Sequence, residues 1–151
     1  MQRISLRKAS NNDKASAIGF DYNHNKVQHI EQKRAEKITK AILRNECFII
    51  SADGQEVGFV LFDYRFFDQG WIELIIIDEK YRGKGIGTQT LNLLSQLCKT
   101  EKIFTSTNTS NTRMQRTLDK AGFSFAGKID GLDDGDPELF YYKRSASSGR
   151  L

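Results

Sequence analysis

Residues 70–78, Gly70-Trp-Ile-Glu-Leu-Ile-Ile-Ile-Asp78, run through Glu79-Lys80 into Tyr81-Arg82-Gly83-Lys84-Gly85-Ile86-Gly87-Thr88. The first part is a nearly continuous apolar run, which suits a central strand covered on both faces. The second opens a helix: between Gly85 and Lys99, the residues Ile86, Leu91, Leu94, Leu97 and Cys98 share one helical face. Glycines in the turn between them let the backbone approach a ligand closely and adopt dihedrals that a Cβ forbids. The N–H groups of the loop and of the first helical turn then converge on an anion, with the helix dipole behind them. Arg82 and Lys84 add positive charge. This is the layout of a pyrophosphate site, and it leaves the cofactor open. A Walker loop needs Gly-Lys-Ser/Thr after four intervening residues; a dinucleotide fingerprint needs a glycine where, counting from Gly85, Thr90 stands. Both spacings are absent. A glycine turn with no ligand is the alternative, and three glycines within five residues beside two cations argue against it.

Outward from this segment, the chain alternates strands and helices. Ile4 and Leu6 stand among polar neighbours in a first strand over 2–8. Ser10 and Asp13 resemble a capping box with Asp in place of Glu, so a short helix is expected there. Val27, Ile30, Ala35, Ile38 and Ile42 lie at mostly helical spacing among Lys, Arg and Glu, which predicts a long amphipathic helix over 26–44. Cys47 to Ile50 reads as a strand, Asp53-Gly54 as a tight hairpin turn, and Val57 to Phe62 as its partner. After the central helix, 102–107 is a strand and 110–121 a helix closed by Gly122. Two late strands, over 123–129 and 138–144, flank an acidic loop from Asp130 to Asp136. The pattern is mixed α/β around one sheet, with no repeat and no domain boundary. One domain over 1–144 and a flexible tail over 145–151 are expected.

Composition agrees with a globular protein. The 151 residues are 38% hydrophobic and 28% charged, with a single proline, and the net charge of +4 needs no special explanation. Cys47 and Cys98 adjoin apolar runs and have no metal-ligand companions nearby, so buried free thiols in a reducing compartment are expected, and no metal site. No stretch approaches the length of a membrane span and no leader pattern opens the chain, so a cytoplasmic location with no membrane partner is expected.

The loop resembles the main motif of the GNAT superfamily of acyl-CoA-dependent N-acetyltransferases, Arg/Gln-x-x-Gly-x-Gly/Ala after a hydrophobic strand, through Arg82, Gly85 and Gly87. A second motif of that family, Asn-x-x-small-x-x-Leu-Tyr-x-Lys-x-Gly-Phe, is matched by Asn111, Lys120, Gly122 and Phe123 at the right intervals. The resemblance covers about 45–144 well and the N-terminal helices loosely. It implies a single central, mostly antiparallel sheet flanked by helices, in which the strands at 70–78 and 102–107 splay apart. Acetyl-CoA is the implied co-substrate. Its pantetheine arm would pair with backbone groups of Leu74, Ile75, Ile76 and Ile77. Its pyrophosphate would lie on Arg82, Gly83, Lys84, Gly85, Ile86, Gly87 and Thr88, and Asn111 would reach the pantetheine from the other side.

Transfer by direct attack requires a neutral amine, stabilisation of the developing oxyanion and a proton for the leaving thiolate. Glu73 is the one carboxylate inside the apolar run; there it should lose hydration and gain basicity, which makes it the candidate base. Its alternatives are an anion that positions substrate, or a surface residue where the strand leaves the core. The family's general acid is a Tyr where this chain has Leu118. Either the thiolate leaves unassisted or through water, or Tyr141 or Tyr142 substitutes, although strand aromatics more often pack. His24 and His29 could approach the acceptor, although an exposed helix histidine is the commoner explanation. The acidic loop, Asp130, Asp133, Asp134, Asp136 and Glu138, is either a lure for cationic amines or a solvated turn. Tyr64, Phe66 and Phe67 are either a wall of the acceptor site or a packed hairpin end.

The expected activity is acetyl transfer from acetyl-CoA to a primary amine of a small molecule or peptide. A non-catalytic acyl-CoA-binding or sensing module is the alternative that Leu118 raises. Nucleic acid is not an expected partner, because the 26–44 helix mixes Glu31, Glu36 and, just beyond it, Glu46 with its cations. Oligomeric state is open, and an edge strand near the C-terminus could pair in a homodimer.

Overall fold

The computed structural model describes residues 2–25 and 28–146, those at 22–25 and 28–31 by backbone alone. In chain order the described elements are β1 (Ile4–Lys8), a 3-10 turn (Asn11–Asp13), α1 (Lys14–Asn25), α2 (Gln28–Leu43), β2 (Cys47–Ala52), β3 (Gln55–Phe66) and β4 (Gln69–Ile77). A second 3-10 turn (Glu79–Tyr81) leads to α3 (Ile86–Leu97), β5 (Lys102–Asn108), α4 (Thr112–Lys120), β6 (Ser124–Ile129) and β7 (Glu138–Arg144). The strands form one seven-stranded sheet in the order β1-β2-β3-β4-β5-β7-β6. This is the mixed α/β, mostly antiparallel architecture expected, with β4–β5 its parallel pair. The β4–β5 ladder holds only Gly70↔Ile103, Trp71↔Phe104 and Ile72↔Thr105. The chain divides into two compact units, Met1–Phe62 with Leu74–Gly87, and Asp63–Glu73 with Thr88–Leu151.

In the first unit α1 and α2 close over strands β2 to β4. Ala17, Ile38, Ala41 and Ile42 from the helices pack with Cys47, Ile49, Phe59, Leu61 and Ile76 from the strands. Burial pushes the Cys47 thiol up to about 12, with Asp13 adding to the shift. The β2–β3 turn places Asp53 at φ 50° and Gly54 at φ 81°, the paired left-handed conformation of a tight two-residue hairpin. Gly58 answers a constraint that no local pattern shows: a Cβ there would sit 2.0 Å from the Ile76 carbonyl oxygen. Asp13 reaches back to the Ser10 amide at 2.8 Å, as the capping pattern predicts.

In the second unit β5 pairs with β7 along its whole length, from Lys102↔Arg144 to Asn108↔Glu138, and β6 continues on the far side of β7. Leu91, Ile103 and Leu118 are fully buried. Lys143 Nζ donates to Asn92 Oδ1 of α3 at 3.1 Å and to the Ala121 carbonyl at 2.7 Å, tying β7 to both helices. Gly122, at φ 83°, ends α4, and the Phe123 amide returns to the Leu118 carbonyl at 3.0 Å. An aromatic stack runs through Phe66, Trp71, Phe104 and Phe140, with Phe66 and Trp71 4.5 Å apart and 15° from parallel.

Three expectations need correction. Leu97 is exposed rather than part of the buried helix face. At 100° per residue it falls about 120° from Leu91, whereas Cys98 returns to within about 20° of it and is buried. The 70–78 run is not covered on both faces: Glu73 is exposed, and Leu74, Ile75 and Ile77 are half-buried. Ser145 is buried, and its amide donates to the Glu101 carbonyl at 2.9 Å, so order extends past Arg144. Residues 147–151, where the rest of a flexible tail was expected, lie outside the described residues.

Candidate active site

The glycine loop belongs to the first unit and follows β4 through the 3-10 turn Glu79–Tyr81. Gly83 and Gly85 have φ of 75° and 81°, and no atom lies within 4 Å of where a Cβ would be at either. Glycine is needed there for backbone conformation, on a loop whose outer side is open. Ile86, 2% exposed, anchors the start of α3, while Gly83, Lys84 and Gly85 are exposed before it. The first-turn amides of such a helix have no acceptor within the helix.

The loop is braced on its protein side. The Asp78 amide donates to the Val57 carbonyl at 2.7 Å, and Arg82 Nε donates to the Ile77 carbonyl at 2.9 Å. Arg82 therefore ties the loop to the end of β4 as well as supplying charge. Lys80 and Lys84 ammonium groups lie 5.3 and 5.7 Å from the Tyr81 ring centroid, so three cations gather around this turn. Gln2 Nε2 donates to the Lys84 carbonyl at 2.7 Å, a contact across 82 positions. Neither the Gln2 bond nor the Arg82–Ile77 bond has a signal in the sequence. Open glycines, clustered cations and a helix start make a donor set that fits the pyrophosphate of acetyl-CoA.

Ile75, Ile76 and Ile77 lie in the same unit as residues 82–87. Glu73, Thr88, Asn111 and Tyr141 lie in the second unit. Glu73 is an exposed residue of β4, so the loss of hydration expected of it is not present. Asn111 caps α4, its Oδ1 accepting from the Met114 amide at 3.1 Å. Tyr141 is 6% exposed, edge-to-face with Phe125 at 5.9 Å, and burial, with Asp119 contributing, holds its hydroxyl above the ordinary tyrosine value. Tyr142 stacks on Phe104 at 5.8 Å. Leu118, at the family's tyrosine position, is fully buried in the core. The side chains of His24 and His29 lie outside the described residues.

The acidic loop divides by role. Asp136 accepts from the Ser110 amide at 3.0 Å and the Ser110 hydroxyl at 2.6 Å, and Asp133 Oδ2 accepts from Asn108 Nδ2 at 2.8 Å. These two carboxylates organise the turn before α4, while Asp130 faces Lys128 at 3.8 Å. Tyr64 and Phe66 are a packed hairpin end: the Tyr64 hydroxyl accepts from the Lys99 amide at 3.1 Å and Phe66 is in the stack. Phe67 projects from the turn, 84% exposed.

The chain belongs to the GNAT acetyltransferase family, whose model matches residues 13–123. It is an acetyl-CoA-dependent N-acetyltransferase, and this membership favours the enzyme over a non-catalytic acyl-CoA-binding module. A GNAT acetyltransferase of Bacillus cereus is 31% identical, and its crystal structure superposes with a TM-score of 0.83 over 95% of this chain and 98% of that one. The spermine/spermidine N(1)-acetyltransferase of Bacillus subtilis is 26% identical over 145 residues, covering 84% of this chain and 91% of that protein. The fold is also that of the aminoglycoside acetyltransferase AAC(6')-Ib solved with coenzyme A, at 20% identity, a TM-score of 0.76 and 99% coverage of both chains. Among the described residues, no helix is long and apolar enough to cross a membrane.

Proposed function

We propose that this enzyme acetylates a primary amine of an aliphatic polyamine by direct attack on acetyl-CoA. The observation that carries the acceptor class is the match, over 84% of the chain, to a relative named for spermine and spermidine. In this reading the amides of residues 83–88 hold the pyrophosphate, and Arg82 and Lys84 balance its charge. The half-buried edge of Leu74, Ile75 and Ile77 receives the pantetheine arm.

The amine nitrogen attacks the thioester carbonyl carbon, the C–N bond forms, and the tetrahedral oxyanion collapses with cleavage of the C–S bond. The substrate ammonium first gives one proton to Glu73, exposed on β4, directly or through water, and the second leaves to water as the amide forms. With Leu118 in the core, no acid stands at the family position, and Tyr141 is packed rather than presented. A thiol with an ordinary value of about 8.5 leaves as the thiolate and takes its proton from water.

The test is free-CoA release with acetyl-CoA and a panel of amines: spermidine, spermine, an aminoglycoside and a Lys-bearing peptide. Spermidine or spermine should give the highest kcat/KM. Turnover of the aminoglycoside or peptide at least tenfold better would overturn the polyamine assignment. Thermal stabilisation by acetyl-CoA, with ATP and NAD as controls, tests the co-substrate site separately.

A further inference from the structure

The bond from Gln2 to the Lys84 carbonyl has a consequence for the loop it touches. In a trans peptide the C=O and the following N–H point in opposite directions within one plane. A donor that holds the Lys84 carbonyl therefore sets the direction of the Gly85 N–H. Gly85 has φ 81° and open space where a Cβ would stand, so no side chain of its own restricts that plane. The two glycines that make the loop adaptable also make it free to rotate, and an amide that must meet an anion gains from being aimed beforehand.

Gln2 is itself held in place. The Arg3 amide donates to Asp53 Oδ1 at 2.8 Å, and the Asp53 amide donates to the Arg3 carbonyl at 2.9 Å. The β2–β3 hairpin turn thus grips the segment from which Gln2 reaches. Val57 at the start of the next strand receives the Asp78 amide, fixing the entrance to the loop within the same unit.

We infer that Gln2 is a positioning residue that orients the Lys84–Gly85 peptide so that its N–H faces the pyrophosphate of acetyl-CoA. The inference rests on residues 82–88 being the pyrophosphate site. Gln2 touches no reacting atom, so its effect belongs to donor binding and not to the chemical step.

The experiment compares wild type with Gln2→Ala and Gln2→Glu, each carrying any tag at the C-terminus, using acetyl-CoA and S-acetylpantetheine as donors. S-acetylpantetheine keeps the thioester and lacks the pyrophosphate. Loss of one orienting hydrogen bond should raise KM for acetyl-CoA roughly three- to tenfold in Gln2→Ala, with kcat unchanged. Gln2→Glu, similar in shape but without the donor and carrying a negative charge, should raise it further. KM for S-acetylpantetheine should be the same in all three proteins. Equal loss with both donors, or a KM for acetyl-CoA unchanged in both variants, would overturn the inference alone. Failure of the wild type to bind acetyl-CoA in a calorimetric titration would overturn the pyrophosphate reading and this inference with it.

Discussion

Arg7 and Asp13 meet through two parallel hydrogen bonds, Nη1 to Oδ2 at 2.9 Å and Nη2 to Oδ1 at 2.7 Å. Arg7 also reaches Glu56 at 2.6 Å, and Asp13 accepts from the Ser10 amide, so one guanidinium joins β1, the start of the helical segment and β3. The Arg7 hydrogen bond is the largest cause, with the Ser10 amide next, of an Asp13 carboxyl held well below the usual carboxylate range.

A carboxyl lowered on folding stabilises the protein above its unfolded value of about 3.9 and loses that contribution as pH falls toward the folded value. Asp13→Asn should therefore lower stability at pH 7 by about 1–2 kcal/mol. The gap between variant and wild type should narrow below about pH 4. Tm measured from pH 2 to 7 checks both statements; a constant gap across that range would contradict them.

Gly58→Ala should destabilise the protein severely, because the added Cβ would lie 2.0 Å from a backbone oxygen that cannot rotate away. A cost of about 3 kcal/mol is expected, the upper range for overpacking. Urea unfolding would measure it. A loss under about 1 kcal/mol would mean that β3 and β4 give way easily at this point.

Gly85→Ala places a Cβ on a left-handed residue with open space around it, so its stability cost should be about 1–2 kcal/mol and folding should survive. Relaxation of the loop should raise KM for acetyl-CoA at least tenfold while KM for the amine stays within twofold. Steady-state kinetics with each substrate varied in turn would separate the two.

Glu73→Gln removes the proposed proton acceptor while preserving shape. We expect kcat to fall about 100-fold, the lower range for a positioned base, with acetyl-CoA affinity unchanged. The variant should recover activity at high pH, where free amine no longer needs a base. A kcat within threefold of wild type at neutral pH would remove Glu73 from the mechanism.

The fold was legible wherever local pattern and local structure share a cause. Asp53-Gly54, the capping pair Ser10 and Asp13, and Gly122 are short-range conformational demands, and each appears where expected. The apolar spacing of Ile86, Leu91 and Leu94 likewise carried the α3 face, and failed at Leu97 where helical geometry turns the side chain outward. Glu73 was harder to place, since an apolar run does not reveal on which side a strand is left open.

The sequence by itself determined the order of elements, the family and the glycine loop, because strand and helix periodicity and left-handed glycines are properties of neighbouring residues. Only the tertiary structure decided that Gly58 must be glycine, that Asp133 and Asp136 face the α4 turn, and that Gln2 holds Lys84. Those contacts join residues 18, 25, 26 and 82 positions apart, and a contact at that distance leaves no period or spacing in the chain for a reader to find.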